Sequence, residues 1–184
     1  MHEEMPKPVQ GKMEGFQLWV NLPAELKMSR PRYQEIISSQ IPEITIENNI
    51  KIRIVAGEYD GVRGPVTEIA ISPQYFDISI PPAKTFIQPV EAGYAVLAYI
   101  FQGQAIMGLN QNQQEMNVTA PKMVIYNDGD QIKIQTRESS ARLMLISGKP
   151  IREPIARFGP FVMNTEKEIE QALADLRNGT FVKM

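Results

Sequence analysis

Apolar and polar positions alternate with period two along most of the middle of this chain, and only near its end does the period lengthen to that of a helix. Ile50, Ile52 and Ile54 alternate with Lys51 and Arg53, which predicts a strand with one buried and one basic face. Val66–Ile71 and Tyr75–Ile80 read the same way, the second rich in aromatic and β-branched residues. Residues 95–101 and 104–107 flank Gln102-Gly103 and predict a hairpin. Residues 122–126 and 131–136 flank Asn127-Asp128-Gly129-Asp130, a turn sequence because Gly and Asn tolerate positive φ. Residues 142–147 form a last apolar strand. Short strands at this spacing, bounded by turn residues, predict a mainly β fold, an antiparallel sandwich or barrel.

Two segments flank this body. The first runs through His2 to Met5 and a Pro- and Gly-punctuated stretch to a predicted strand, Phe16 to Leu22, with Phe16, Leu18, Val20 and Leu22 on one face and Trp19 on the other. Pro23-Ala24-Glu25 opens a helical turn that Pro31 ends. At the other end, Thr165 and Glu168 match a capping box, Ile169, Ala172, Leu173 and Leu176 share a helical face, and Gly179 is placed to stop the helix. That amphipathic helix has three possible docking surfaces: its own barrel, a partner protein or a second copy of the chain.

Composition narrows the function classes. A length of 184 residues suits one core-bearing domain with an appendage. The net charge of −2 and the dispersed basic residues give no electrostatic reason to bind nucleic acid. With no cysteine, disulfides, thiolate zinc sites and cysteine nucleophiles are excluded, and a reducing compartment is in keeping with that. No apolar run nears the roughly 20 residues a membrane helix needs, and the N-terminus lacks a secretion signal. The expected location is the cytoplasm, with no membrane partner. The sequons at Asn117 and Asn178 then imply no glycan.

His2 is the only histidine, so a metal or acid–base site on this chain passes through it. In an extended segment His2 and Glu4 project from one face, and imidazole with carboxylate suits iron, manganese, zinc or nickel. Two such groups are half of a usual ligand set, and a frayed terminus without function is the competing reading. Other motifs carry less. Gly57, Gly61 and Gly64 lack the spacing of a nucleotide loop, and residues 127–130 lack the later ligands of a calcium loop. Residues 110–114 read as a solvated loop and the ten methionines as adaptable core filler. Glu153, beside Arg152, is a candidate for a buried ion pair.

Several strings taken in order resemble the pirin family of the cupin superfamily: His2 to Pro6, Gln17 to Leu22, Tyr33-Gln34, Arg152-Glu153-Pro154, Gly159 to Thr165 and Asp175 to Gly179. The resemblance spans essentially the whole chain, and Gly159 to Thr165 is its most specific part. It implies a cupin-type antiparallel β-barrel with an N-terminal strand arm and a C-terminal α-helix. Residues 1–35 would be the arm, a remnant of a first barrel; 36–158 the second barrel; and 159–184 the tail. In the family the first barrel holds a metal, usually iron, on three histidines and a glutamate. His2 stands at the last histidine position and Glu4, the candidate catalytic group, at the glutamate. The other two histidines would precede Met1, so the resemblance implies an incomplete site and no cofactor in the isolated chain.

Family members are associated with quercetin 2,3-dioxygenase activity and with partner binding in transcriptional regulation. For this chain the resemblance implies a truncated binding, regulatory or relic protein; the alternative is a metal-dependent dioxygenase whose missing ligands come from another chain. A homo-oligomer through the arm and terminal helix is expected, because strands left without their barrel expose pairing edges.

Overall fold

The computed structural model describes Gly11 and residues 14–109 and 112–182. They fall into two compact units, one of residues 34–150 and one that unites the N-terminal segment up to Tyr33 with residues 151–184.

The larger unit is a curled antiparallel sheet of short strands, as the alternation predicts. Its strands are β1 (Glu43–Ile46), β2 (Ile50–Ala56), β3 (Glu58–Tyr59), β4 (Val62–Arg63), β5 (Gln74–Ile80), β6 (Thr85–Pro89), β7 (Ala95–Leu109), β8 (Glu115–Thr119), β9 (Lys122–Ile125), β10 (Gln131–Gln135) and β11 (Ala141–Gly148). The main path runs β1-β2-β5-β11-β7-β10-β6, with β8 and β9 also paired to β7, while β3 and β4 form a separate hairpin. Alternation is literal in β2, where Ile50, Ile52 and Ile54 are 0–1% exposed. They join Phe76, Ile78, Ala98, Ile100, Leu143 and Leu145 in one continuous apolar core.

The hairpin expected at Gln102-Gly103 does not exist. Residues 95–109 form one strand, and Gly103 is the corner at which it bends. Ala95 to Gly103 pairs with β11, and Gln104 to Leu109 with β8. The register slips by one residue beside Arg142, which is a bulge. Gly103 has φ +74°, and a Cβ there would stand 1.9 Å from the Ser140 carbonyl oxygen. Positive φ thus serves a bent strand here, where the sequence suggests a turn.

Val66–Ile71 is the second departure. Its alternation is real, but Glu68 and Ser72 have positive φ and break the extended path. The segment keeps one parallel bridge, Val66 to Ala56. The Gln34 amide takes the place of a neighbouring strand, donating to Thr67 O at 3.0 Å and accepting from Thr67 N at 3.4 Å. Residues 127–130 form a bent connection in which neither Asn127 nor Gly129 takes positive φ, and Asp128 Oδ1 accepts from Gly93 N at 2.8 Å. The connection joins strands with different partners, β9 on β7 and β10 chiefly on β6.

The smaller unit contains β12 (Ala156–Phe158), β13 (Phe161–Met163) and α1 (Glu166–Arg177). The capping box forms as read: Glu168 N donates to Thr165 Oγ1, and Thr165 N donates to Glu168 Oε2 at 2.7 Å. The Thr165 hydroxyl, then the amides of Thr165 and Asn164, hold the Glu168 carboxyl below its ordinary range. At the other end Thr180 N bonds Asp175 O and Gly179 N bonds Leu176 O, with Gly179 at φ +71°, a Schellman stop. Ile169 and Ala172 are buried, whereas Leu176 is exposed.

The segment expected as a strand at Phe16–Leu22 is assigned as irregular, and its apolar side chains Phe16, Leu18, Trp19, Val20 and Leu22 are exposed. Period-two spacing by itself does not make a strand. The helical turn after Pro23 is present as a 3-10 turn at Ala24–Leu26. Among the described residues Glu153 forms no ion pair: its carboxylate accepts from Ala24 N and Asn164 Nδ2, each at 2.8 Å.

Candidate binding site

A metal on this unit would need donors converging inside the barrel, and the buried faces of β2, β5, β7 and β11 offer no inward-facing histidine, cysteine or carboxylate. They present Ile, Leu, Phe, Ala, Val96 and Met107, with the Ser147 hydroxyl bonded to Gln74 Oε1 at 3.1 Å. The buried carboxylate of this unit, Asp77, is engaged in a bidentate pair: Arg142 Nε and Nη2 donate to its two oxygens at 2.9 and 2.7 Å. That bond chiefly raises the Arg142 pKa, and the guanidinium also stacks 5.2 Å from the Phe101 ring centroid. Among the described residues no three His, Cys, Asp or Glu side chains cluster as metal ligands would. His2 and Glu4, the candidate metal pair with Glu4 as catalytic group, lie outside the described residues. The donors that the family resemblance implies for iron therefore lie outside the described residues, and the barrel of residues 34–150 adds none to them.

What the barrel does offer is a seam. The strand path starts at β1 and ends at β6, and these two edges, unpaired among the described residues, border a cleft of about 520 Å³. Ile46, Asn48 and Ile50 line one side, Phe86 and Ile87 the other, and the β3–β4 hairpin brings Glu58, Tyr59 and Asp60 to it. The hairpin turns at Asp60-Gly61, both at positive φ, the dipeptide a type I′ turn favours. Arg63 Nε neutralises Glu58 at 2.6 Å. Burial first and Asp60 second push the Tyr59 phenol up, keeping it neutral, and its ring meets Phe76 edge-on at 5.9 Å.

Gln88 is the unusual member of this lining. It follows Phe86 by two residues in β6, so it shares the inward face, and it is only 7% exposed. Its Oε1 is buried with no hydrogen-bond partner. Sequence reading passed over both the cleft and this residue. The alternation Phe86-x-Gln88-x-Val90 was the available signal, a polar side chain at an inward position. A smaller pocket of about 250 Å³ lies beneath Tyr126, among Val96, Met107 and Ile132. Burial pushes that phenol well up, and its hydroxyl is also without a partner.

Comparison with known proteins places this architecture. Residues 75–182 match the pirin C-terminal cupin domain. The chain is 35% identical over 182 residues to a pirin-like protein of Caulobacter vibrioides, covering 98% of this chain and 63% of that one. It is 32% identical over 179 residues to human pirin, covering 97% of this chain and 60% of that one. The chain thus spans about three-fifths of the length of the curated relatives it matches. The crystal structure of quercetin 2,3-dioxygenase from Acinetobacter baumannii superposes with a TM-score of 0.75 at 29% identity, over 89% of this chain and 55% of that one.

Proposed function

This chain belongs to the pirin family of cupin proteins, and we propose that it acts there as a binding or regulatory protein without a complete metal site of its own. The observation that supports this reading is the filled barrel. Its interior is close-packed with aliphatic and aromatic side chains, and its buried carboxylate is bound to Arg142. An apolar interior stabilises a scaffold but supplies no metal ligands from this barrel. Recognition then falls to the outer surface and the seam.

Self-association belongs to the same reading. Phe16, Leu18, Trp19 and Val20 are 39–61% exposed, and Leu176 adds an apolar position on α1. Exposed apolar positions of this kind suit a two-fold interface between copies. A dimer in light scattering supports that part, and a monomer of 20.8 kDa at micromolar concentration overturns it.

A second reading is favoured by the superposition on a quercetin 2,3-dioxygenase and by the pair His2 and Glu4: a dioxygenase whose remaining ligands come from another chain. Metal content by inductively coupled plasma mass spectrometry, after purification from iron-supplemented cells, separates the two. The binding reading expects far less than one metal per chain and no quercetin consumption. A stoichiometric metal, together with quercetin turnover that His2→Ala abolishes, establishes the dioxygenase in its place.

A further inference from the structure

We propose that the seam cleft is a binding site for a small organic ammonium ion with an apolar body, such as an arylalkylamine. This inference goes beyond the proposed function and does not depend on the metal content of the chain, because the cleft is built entirely from residues 46–89.

The buried amide of Gln88 is the first observation. Buried polar atoms are almost always hydrogen-bonded, and an orphan in a native fold points to a missing partner. Gln88 Oε1 is such an atom, on a residue more than nine-tenths buried that lines the cleft, and a rotation of the side-chain amide brings it to a ligand seated there. An acceptor calls for a donor on the ligand, and an ammonium N–H gives the stronger, charge-assisted bond.

Charge is the second observation. Glu47, Glu58 and Asp60 surround the opening, and among the described residues only Glu58 has a cationic partner, Arg63. The cleft has no lysine, arginine or histidine in its lining, so two carboxylates remain uncompensated. A water molecule could satisfy the amide oxygen but would leave that charge in place. The free edge of β6 offers backbone donors as well as acceptors, so it does not select the sign of a ligand; the carboxylates do.

Shape is the third. The volume is in the range of small-molecule sites, and Ile46, Ile50, Phe86, Ile87 and Pro89 supply a wall for a hydrocarbon or ring. With the Tyr59 ring alongside, an aromatic amine can place its charge at the acidic rim and its ring on that wall.

The test is an NMR titration of the full chain with 2-phenylethylamine, using 2-phenylethanol and 3-phenylpropionate as neutral and anionic matches at constant ionic strength. The amine is expected to shift the Ile46, Ile50 and Ile87 methyl signals saturably. The alcohol should bind about tenfold more weakly, the difference one charge-assisted contact makes, and the acid not measurably. Gln88→Leu should weaken amine binding about fivefold or more without lowering the thermal midpoint, because it removes an unpaired buried polar group. Glu47→Gln with Asp60→Asn, both at exposed positions, should bring amine and alcohol to near parity, and this pair decides the matter if Gln88→Leu does not fold. Equal binding of amine and alcohol by the unaltered chain, unchanged amine affinity in a folded Gln88→Leu, or no saturable shift of those methyls overturns the proposal.

Discussion

The two units of this chain are held together by different means. In the unit of residues 34–150, stability comes from apolar burial: nineteen buried side chains form one cluster among the described residues. In the unit built from the two chain ends the equivalent cluster has three, Met163, Ile169 and Ala172, with half-buried Met28 and Phe161 beside them. That unit relies instead on directed polar contacts. Glu153 joins the turn at Ala24 to Asn164, Lys27 Nζ donates to Asn21 Oδ1 and to Val162 O, and Thr165 and Glu168 cap the helix. A packed core tolerates almost no change of volume, whereas a polar lock fails through the loss of one acceptor. The two units are therefore expected to respond to different mutations.

The largest expected effect is at the strand corner. Gly103→Ala would place a methyl group against the Ser140 carbonyl at a positive φ. It should cost about 4 kcal/mol or more, in the exceptional class of point mutations, and appear as loss of the cooperative barrel transition. A near-native denaturation midpoint would mean that the bend is not where β7 is held.

Next comes Ile52→Ala, which hollows the core at a residue with 0% exposure. A cost of about 2–5 kcal/mol is expected, read as a lowered urea midpoint. The comparison is sharpened by Glu153→Ala in the other unit. Removing an acceptor shared by Ala24 N and Asn164 Nδ2 should cost about 1–3 kcal/mol. Hydrogen exchange should locate this loss in the amides of α1 and leave those of β2 and β5 unchanged. Equal deprotection of the barrel strands would show that the two units do not differ in the way described.

Tyr126→Phe is the smallest at neutral pH, because the hydroxyl lost has no partner, and less than about 1 kcal/mol is expected. Its effect lies in alkali. The folded state raises the phenol pKa through burial, so the neutral phenol is the form the fold favours. Its contribution is fully present below the ordinary tyrosine pKa of 10.0 and declines as pH rises beyond it, because the unfolded chain then loses the proton first. The Phe variant should therefore lose less stability than the parent above about pH 10, measured as the difference between their thermal midpoints. Parallel curves for the two proteins would show that Tyr126 ionises freely in the fold.

Much of the architecture was legible from local pattern alone. Period-two alternation placed the inward face of β2 and the strands β5 and β11, and the Thr165–Glu168 spacing placed the start of α1, because each depends on neighbours a few residues apart. The pirin strings named the family for the same reason: they are contiguous. Where the local pattern misled, the missing information was always a partner distant in sequence. Gly103 is a bend and not a turn because β11 and β8 take successive halves of one strand. Val66–Ile71 is not a strand because Gln34, more than thirty residues away, occupies its backbone groups. The cleft was hidden for the same cause. Its walls come from β1, β3 and β6, and the significance of Gln88 arises only when the barrel closes and its amide is buried without a mate. Alternation along one strand is set by that strand's own sequence, whereas a seam exists only where two ends of a sheet approach through space.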